Sequence, residues 1–222
     1  MTHNFLKQWT KVERILRKQL LIHKWFVIFD NIMVKALLNF DRSLFSTINQ
    51  TWSNPVFDGL MPFIRNQFFW VPVYLFLLAF MLLNFRKKAL WWVLFFLATF
   101  ALTDMISTQV IKAFIERPRP CADAFTSNSV RMLIPCSYSF SFVSSHAANH
   151  FGIAMFVYMT LKQISNRSIW LVFVWAFAVC YAQVYVGAHF PFDVLGGAVL
   201  GLLIGHRTAF IFNRQFKPLT IH

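Results

Sequence analysis

Apolar runs of membrane length alternate with short basic stretches along most of this chain. Residues 68–85 form one such run, and Arg86, Lys87 and Lys88 close it. Residues 90–111 form the next and contain a carboxylate, Asp104. A polar stretch covers roughly 112–140, and runs at 143–161, 168–187 and 192–212 follow it. A helix needs about 20 largely uncharged residues to cross the hydrocarbon layer. The pattern therefore predicts an all-α fold, a polytopic transmembrane helix bundle of about five spans. Residues 49–59, "NQTWSNPVFDG", carry turn chemistry at Asn54-Pro55 and Asp58-Gly59 and are expected to form a loop.

The start of the chain has a different pattern. Lys7, Lys11, Arg14, Arg17, Lys18 and Lys24 interleave with apolar residues, as in a basic amphipathic helix lying on a membrane surface. Lys24, Asp30 and Lys35 would be costly inside lipid. Residues 1–50 are thus expected to form an amphipathic arm, and residues 51–217 the transmembrane domain. No apolar segment followed by small residues marks a cleavable leader.

Composition agrees with a membrane protein. Hydrophobic residues make up 58% of the chain and charged residues 13%, against about a quarter charged in a soluble domain. The formal charge of +13 would suit nucleic acid, but the cations sit in loops flanking apolar runs, so a nucleic-acid partner is not needed to explain them. The positive-inside rule puts the Arg86–Lys88 turn, the 162–167 link and the C-terminal tail in the cytoplasm. The 112–142 loop and His189 then share the opposite face. Five spans place the basic N-terminus on that face too, against the rule, which favours an arm lying flat on the leaflet. Cys180 lies in an apolar run as inert packing. Cys121 and Cys136 bracket the polar loop, as a disulfide in an oxidising compartment or as two thiols.

Three polar clusters interrupt the apolar runs on that shared face. "KAFIERPRP" (112–120) brings Lys112, Arg117 and Arg119, with Arg131 nearby. "SSHAANH" (144–150) brings Ser144, Ser145, His146 and His150. "VYVGAHFPFD" (184–193) brings His189 and Asp193. Cations, hydroxyls and imidazoles together describe an oxyanion site: Arg offers a planar fork of donors to phosphate, and a helix N-terminus favours an anion. The i,i+4 spacing puts His189 and Asp193 on one helical face, where the carboxylate can hold one ring nitrogen and leave the other free to attack. His146 is suited to protonate a leaving alkoxide.

Lys112, six residues, Arg119-Pro120; Ser144-Ser145-His146; His189, three residues, Asp193: in this order and between apolar runs, the set resembles the type 2 phosphatidic acid phosphatase family of membrane-integral lipid phosphate phosphatases. The likeness covers roughly residues 40–212. It implies that His189 is a nucleophile forming a phosphohistidine, Asp193 its orienting group and His146 the general acid. Lys112, Arg119 and Ser144 would bind phosphate, assisted by the Ser145 N–H. It implies no metal or other cofactor, a membrane lipid phosphate as substrate and the bilayer as partner. It also implies a place in the bacterial cytoplasmic membrane, with the site facing the periplasm or exterior. The favoured substrate is undecaprenyl diphosphate, by analogy with compact bacterial members; phosphatidylglycerophosphate, phosphatidate and lipid A phosphates are the alternatives. Two departures stand out. Val143-Ser144-Ser145-His146 replaces the usual Pro-Ser-Gly-His, and Ala182-Gln183 replaces the usual Ser-Arg, which removes one phosphate-binding cation. Gln183 still offers a neutral donor, and Arg117 or Arg131 is a candidate for the missing charge.

Other readings remain open at this point. His189 and Asp193 could be a structural pair, and His146 and His150 two zinc ligands without an obvious third. Asp104 is expected to position a helix or a cation, and Arg117 with Glu116 to form a solvated pair. A vanadate-dependent haloperoxidase shares such motifs but is soluble, and a degenerate lipid-phosphate-binding protein would tolerate Gln183.

Overall fold

Asn54 begins the first helix of the bundle. Its Oδ1 accepts the Phe57 N–H at 2.9 Å, and Pro55 follows with its backbone angle already set for a helix. The computed structural model describes residues 32–164, 168–216 and 219. The chain divides into two compact units, Met1–Ser43 and Leu44–His222. In the first, residues 32–43 are helical; the surface helix expected over 1–24 lies outside the described residues. The second unit holds everything below. Residues 44–50, grouped with the arm on sequence, pack inside it: buried Asn49 donates to the Tyr185 carbonyl at 2.7 Å and the Arg131 carbonyl at 2.9 Å.

Its helices are α1 (Pro55–Ile64), α2 (Gln67–Phe85), α3 (Lys87–Ile115), α4 (Ser145–Leu161), α5 (Leu171–Tyr185) and α6 (Pro191–Phe216). The described residues contain no strand. Helix α1 replaces the expected loop, because Asn54-Pro55 signals a helix start as well as a turn. Asp58-Gly59 falls inside the helix, where Asp58 meets Arg131 at 2.7 Å and the Tyr185 hydroxyl at 2.8 Å. The five expected runs are all helical. Helices α2, α3 and α6 are long and apolar enough to cross a membrane; α4 and α5 are shorter, at 17 and 15 residues. The outer faces carry exposed apolar side chains such as Phe76, Leu83 and Leu203, as a lipid-facing surface requires.

Helices α4 and α6 form the most extensive pairing, and small residues set it. Gly197, Gly201 and Gly205 recur every four residues on α6 and face Ala148 and Gly152 of α4. A Cβ at Gly201 would overlap the Ala148 carbonyl oxygen and lie 2.7 Å from the Gly152 nitrogen. Such spacing lets backbones approach where no hydrophobic drive separates helix from lipid. Below the pairing, Trp92, Phe156 and Phe212 pack together, and the Trp92 indole donates to Thr160 at 2.8 Å. Gly201→Val is expected to cost about 1–3 kcal/mol by overpacking, read as a lower melting temperature in detergent. An unchanged melting temperature would mean the helices can part freely.

The polar stretch between α3 and α4 folds over the end of the bundle. Glu116 takes the left-handed conformation (φ 49°) that stops α3. Cys121 and Cys136 are joined in a disulfide, which resolves the choice the sequence leaves open.

Candidate active site

The turn after α5 carries His189. Gly187 sits at φ 85°, and a Cβ there would stand 2.8 Å from the Arg131 carbonyl oxygen. The N–H groups of Ala188 and His189 both donate to the Gln183 carbonyl, at 3.0 and 3.3 Å. His189 is thereby fixed between α5 and α6, 2% exposed.

Asp193 lies in the first turn of α6, fully buried. Its Oδ2 accepts the Phe190 N–H at 2.8 Å, a carboxylate reaching back to the residue just before its own helix. Its Oδ1 holds Arg117 at 2.7 Å. The His189 Nδ1 is 3.7 Å away from Oδ2, beyond hydrogen-bond reach. Ser141 fills the gap: its hydroxyl donates to Asp193 Oδ2 and stands 3.4 Å from His189 Nδ1. The pairing expected from the i,i+4 spacing is present as this close contact, and Ser141 bridges the two groups beside it. This arrangement assigns the proton to Nδ1 and leaves Nε2 unprotonated, its lone pair turned towards Arg119 Nη1 at 3.3 Å.

His189 lines a cavity of about 270 Å³. Arg65, Lys112, Arg119, Ser145, His146 and Gln183 share its lining with His189. Arg119 is locked by the Ser139 carbonyl at 2.7 Å, the Ser139 hydroxyl at 2.8 Å and the Ala188 carbonyl at 2.9 Å. Its Nη1 stands 3.3 Å from His189 Nε2, so donor and nucleophile address the same point. Lys112 arrives from the last turn of α3, after a π-helical stretch at Ile106–Ile111. The extra residue per turn in such a stretch re-aims the side chains beyond it.

The chain thus brings Lys112, Arg119, Ser145, His146, Gln183 and His189 around one cavity. Ser144 is placed differently. It is fully buried and caps α4 by accepting the Ala147 N–H, so the cavity hydroxyl belongs to Ser145 instead, and that hydroxyl has no hydrogen-bond partner. Arg117 is no solvated partner of Glu116, because it is drawn to the buried charge of Asp193 and stacks on Phe190 at 4.3 Å. Arg131 is committed to Asp58. Neither therefore replaces the cation absent at position 183. The cavity does hold a third cation, Arg65 from the end of α1, which the sequence motifs did not flag.

A second hollow, of about 320 Å³, opens between α2, α3 and α4. Phe68, Phe96, Phe100 and Ile153 give it an apolar wall, and Gln67, Asp104 and Asn149 a polar one. Asp104 accepts from the Asn149 amide at 3.2 Å, in keeping with the positioning role expected of it. Ser145 and His146 line this hollow and the basic cavity alike. His150 packs on Trp175 with ring centres 4.8 Å apart and donates from Nδ1 to the His146 carbonyl at 2.8 Å.

Burial pushes the His189 imidazole down to about 4, and the nearby Arg119 and Lys112 add to this against the pull of Asp193. The ring is then neutral and nucleophilic above about pH 4 and loses its lone pair below it. A free imidazole would do so near 6.5. A ring-nitrogen NMR titration is expected to place the His189 inflection near pH 4; an inflection near pH 6.5 would contradict the burial.

Comparison with known proteins agrees with this geometry. The PAP2 superfamily profile matches residues 89–217. A lipid A 4'-phosphatase of Bacteroides thetaiotaomicron is 30% identical over 191 residues, 82% of this chain and 81% of that one. The undecaprenyl-diphosphatase BcrC of Bacillus subtilis is 28% identical over 168 residues, 74% of this chain and 79% of that one. The crystal structure of a transmembrane PAP2-type phosphatidylglycerolphosphate phosphatase from Bacillus subtilis superposes with a TM-score of 0.61 at 26% identity. That match covers 83% of this chain and 90% of the other. With its helical bundle and its histidine-centred cationic cavity, the chain belongs to the PAP2 superfamily and is a membrane lipid phosphatase.

Proposed function

We propose that this phosphatase cleaves its lipid phosphate through a phosphohistidine on His189. The observation that carries the reading is the junction at His146, where a cationic cavity and a partly apolar hollow meet. Phosphate enters the cavity, and the lipid side of the scissile bond lies in the hollow. His189 Nε2 attacks phosphorus while the bond to the leaving oxygen breaks, and His146 donates a proton to that oxygen. Water then attacks the phosphohistidine, His146 takes the water's proton, and inorganic phosphate leaves. Lys112 and Arg119 stabilise charge on the transferring group. Asp193 and Ser141 hold the tautomer.

The polar wall of the hollow bears on the substrate. Beyond the scissile bond undecaprenyl diphosphate presents a second phosphate, which the Asp104 carboxylate repels, whereas a hydroxyl-bearing headgroup can donate to Asp104 and accept from Gln67 or Asn149. This favours a lipid A phosphate over undecaprenyl diphosphate, and the Bacteroides relative points the same way. Undecaprenyl diphosphate is the second reading, supported by BcrC. The site opens on the periplasmic side of the cytoplasmic membrane, opposite the basic Arg86–Lys88 turn.

The test is phosphate release by purified protein from lipid A, undecaprenyl diphosphate, phosphatidylglycerophosphate and phosphatidate, with EDTA present. Release fastest from lipid A is expected. Fastest release from undecaprenyl diphosphate would establish the second reading. Loss of all release in EDTA would overturn the metal-independent route, and no release under any condition would leave a binding protein.

A further inference from the structure

Arg65 and Gln183 meet in the lining of the basic cavity, one from the end of α1 and the other from α5. Arg65 closes α1, is half-buried, and makes no ion pair with any described residue. Gln183 lies in the last turn of α5, fully buried. The Arg65 Nε stands 3.4 Å from Gln183 Oε1, and that contact turns the amide. Its carbonyl oxygen faces the guanidinium, and its Nε2 has no hydrogen-bond partner. Both residues line the cavity with Lys112, Arg119, Ser145, His146 and His189.

An unpartnered buried amide donor is costly unless something accepts from it. A guanidinium without a carboxylate, in a cavity already holding a lysine and an arginine, raises like-charge repulsion unless an anion arrives. One ligand class satisfies both. We infer that Arg65 is a phosphate-binding residue of this enzyme, oriented by Gln183, whose Nε2 donates to the same phosphoryl group. The cation is carried on α1, and the α5 position serves as its dock. A charge fixed at position 183 would lie fully buried; one carried by the half-buried Arg65 keeps part of its hydration until phosphate binds. Gln183 also accepts the two N–H groups that place His189, so phosphate docking and nucleophile placement meet on one residue.

This inference rests on the phosphatase reading, and its test separates the two. Orthovanadate binding is measured by calorimetry on detergent-purified wild type, Arg65→Ala, Gln183→Ala and the double variant Arg65→Ala/Gln183→Arg, alongside kcat/KM on the lipid panel. Loss of one charge-assisted contact is expected to weaken vanadate about 10- to 100-fold in Arg65→Ala. Gln183→Ala should weaken it less, about threefold to tenfold. The double variant should recover most of the loss, since an arginine at 183 puts the charge back in the same cavity. Unchanged vanadate affinity in Arg65→Ala would overturn the inference while leaving the phosphatase intact. So would a loss that the double variant does not restore, because that marks a structural defect. Absence of vanadate binding in wild type also overturns it. If vanadate binding follows the expected order but no lipid is hydrolysed, the anion site stands and the phosphatase mechanism falls.

Discussion

His189→Asn lowers phosphate release by about four orders of magnitude or more, the loss seen when a nucleophile that works as part of a unit is removed. Asparagine keeps a polar group of similar reach in the buried turn and can still donate toward Ser141. The turn therefore has a route to persist, with Gly187 and the paired N–H bonds to Gln183 unchanged. What disappears is the Nε2 lone pair, 3.3 Å from Arg119 Nη1. Vanadate affinity should survive better than turnover, since Lys112, Arg119 and Ser145 still line the cavity. A variant retaining a tenth of the wild-type rate would assign the chemistry to another group.

Arg117→Met is expected to destabilise the protein by about 3–5 kcal/mol, the cost of leaving a buried charge without its partner. Asp193 is fully buried, with Arg117 as its cation at 2.7 Å. Methionine preserves apolar contact with Phe190, so the loss reads the charge and not the packing. Adding Asp193→Asn to that background should recover much of the stability, because both charges are then gone. It should not recover activity, because the group behind Ser141 and His189 is no longer a carboxylate. Thermal melting and phosphate release on the two variants and wild type check this. An Arg117→Met protein as stable as wild type would mean that Asp193 is compensated elsewhere.

The sequence was most legible where function demands fixed residue types. Lys112, Arg119, His146 and His189 fall around one cavity because each sits at the same end of an apolar run, and that end is readable from hydropathy and charge alone. The apolar runs became helices for the same reason. Local chemistry with two meanings is less legible: Asn54-Pro55 starts a turn or a helix equally, and only the packing of Asp58 on Arg131 and Tyr185 decides it. Long-range partners were not legible. Nothing near Ser141 in the chain points to Asp193, 52 positions away. Arg65 reads as one more membrane-flanking cation until α1 and α5 are brought together. The i,i+4 spacing of His189 and Asp193 predicts a pair, and the pair is there at 3.7 Å, longer than a hydrogen bond because the helix starts only at Pro191. His189 lies before the helix, and the helical face argument does not extend to it.

The central claim is that phosphate passes through His189. The direct measurement is rapid quenching of the His146→Gln variant with lipid carrying radiolabelled phosphate, in EDTA, followed by peptide mapping. Without His146 the intermediate forms more slowly, because the leaving oxygen lacks its proton donor, but what forms should persist to the quench, because no base activates the water. The predicted result is acid-labile, base-stable label on the peptide that contains His189, absent when His189 is also replaced by Asn. Label on another peptide, or rapid phosphate release with no labelled protein at any time, would contradict it.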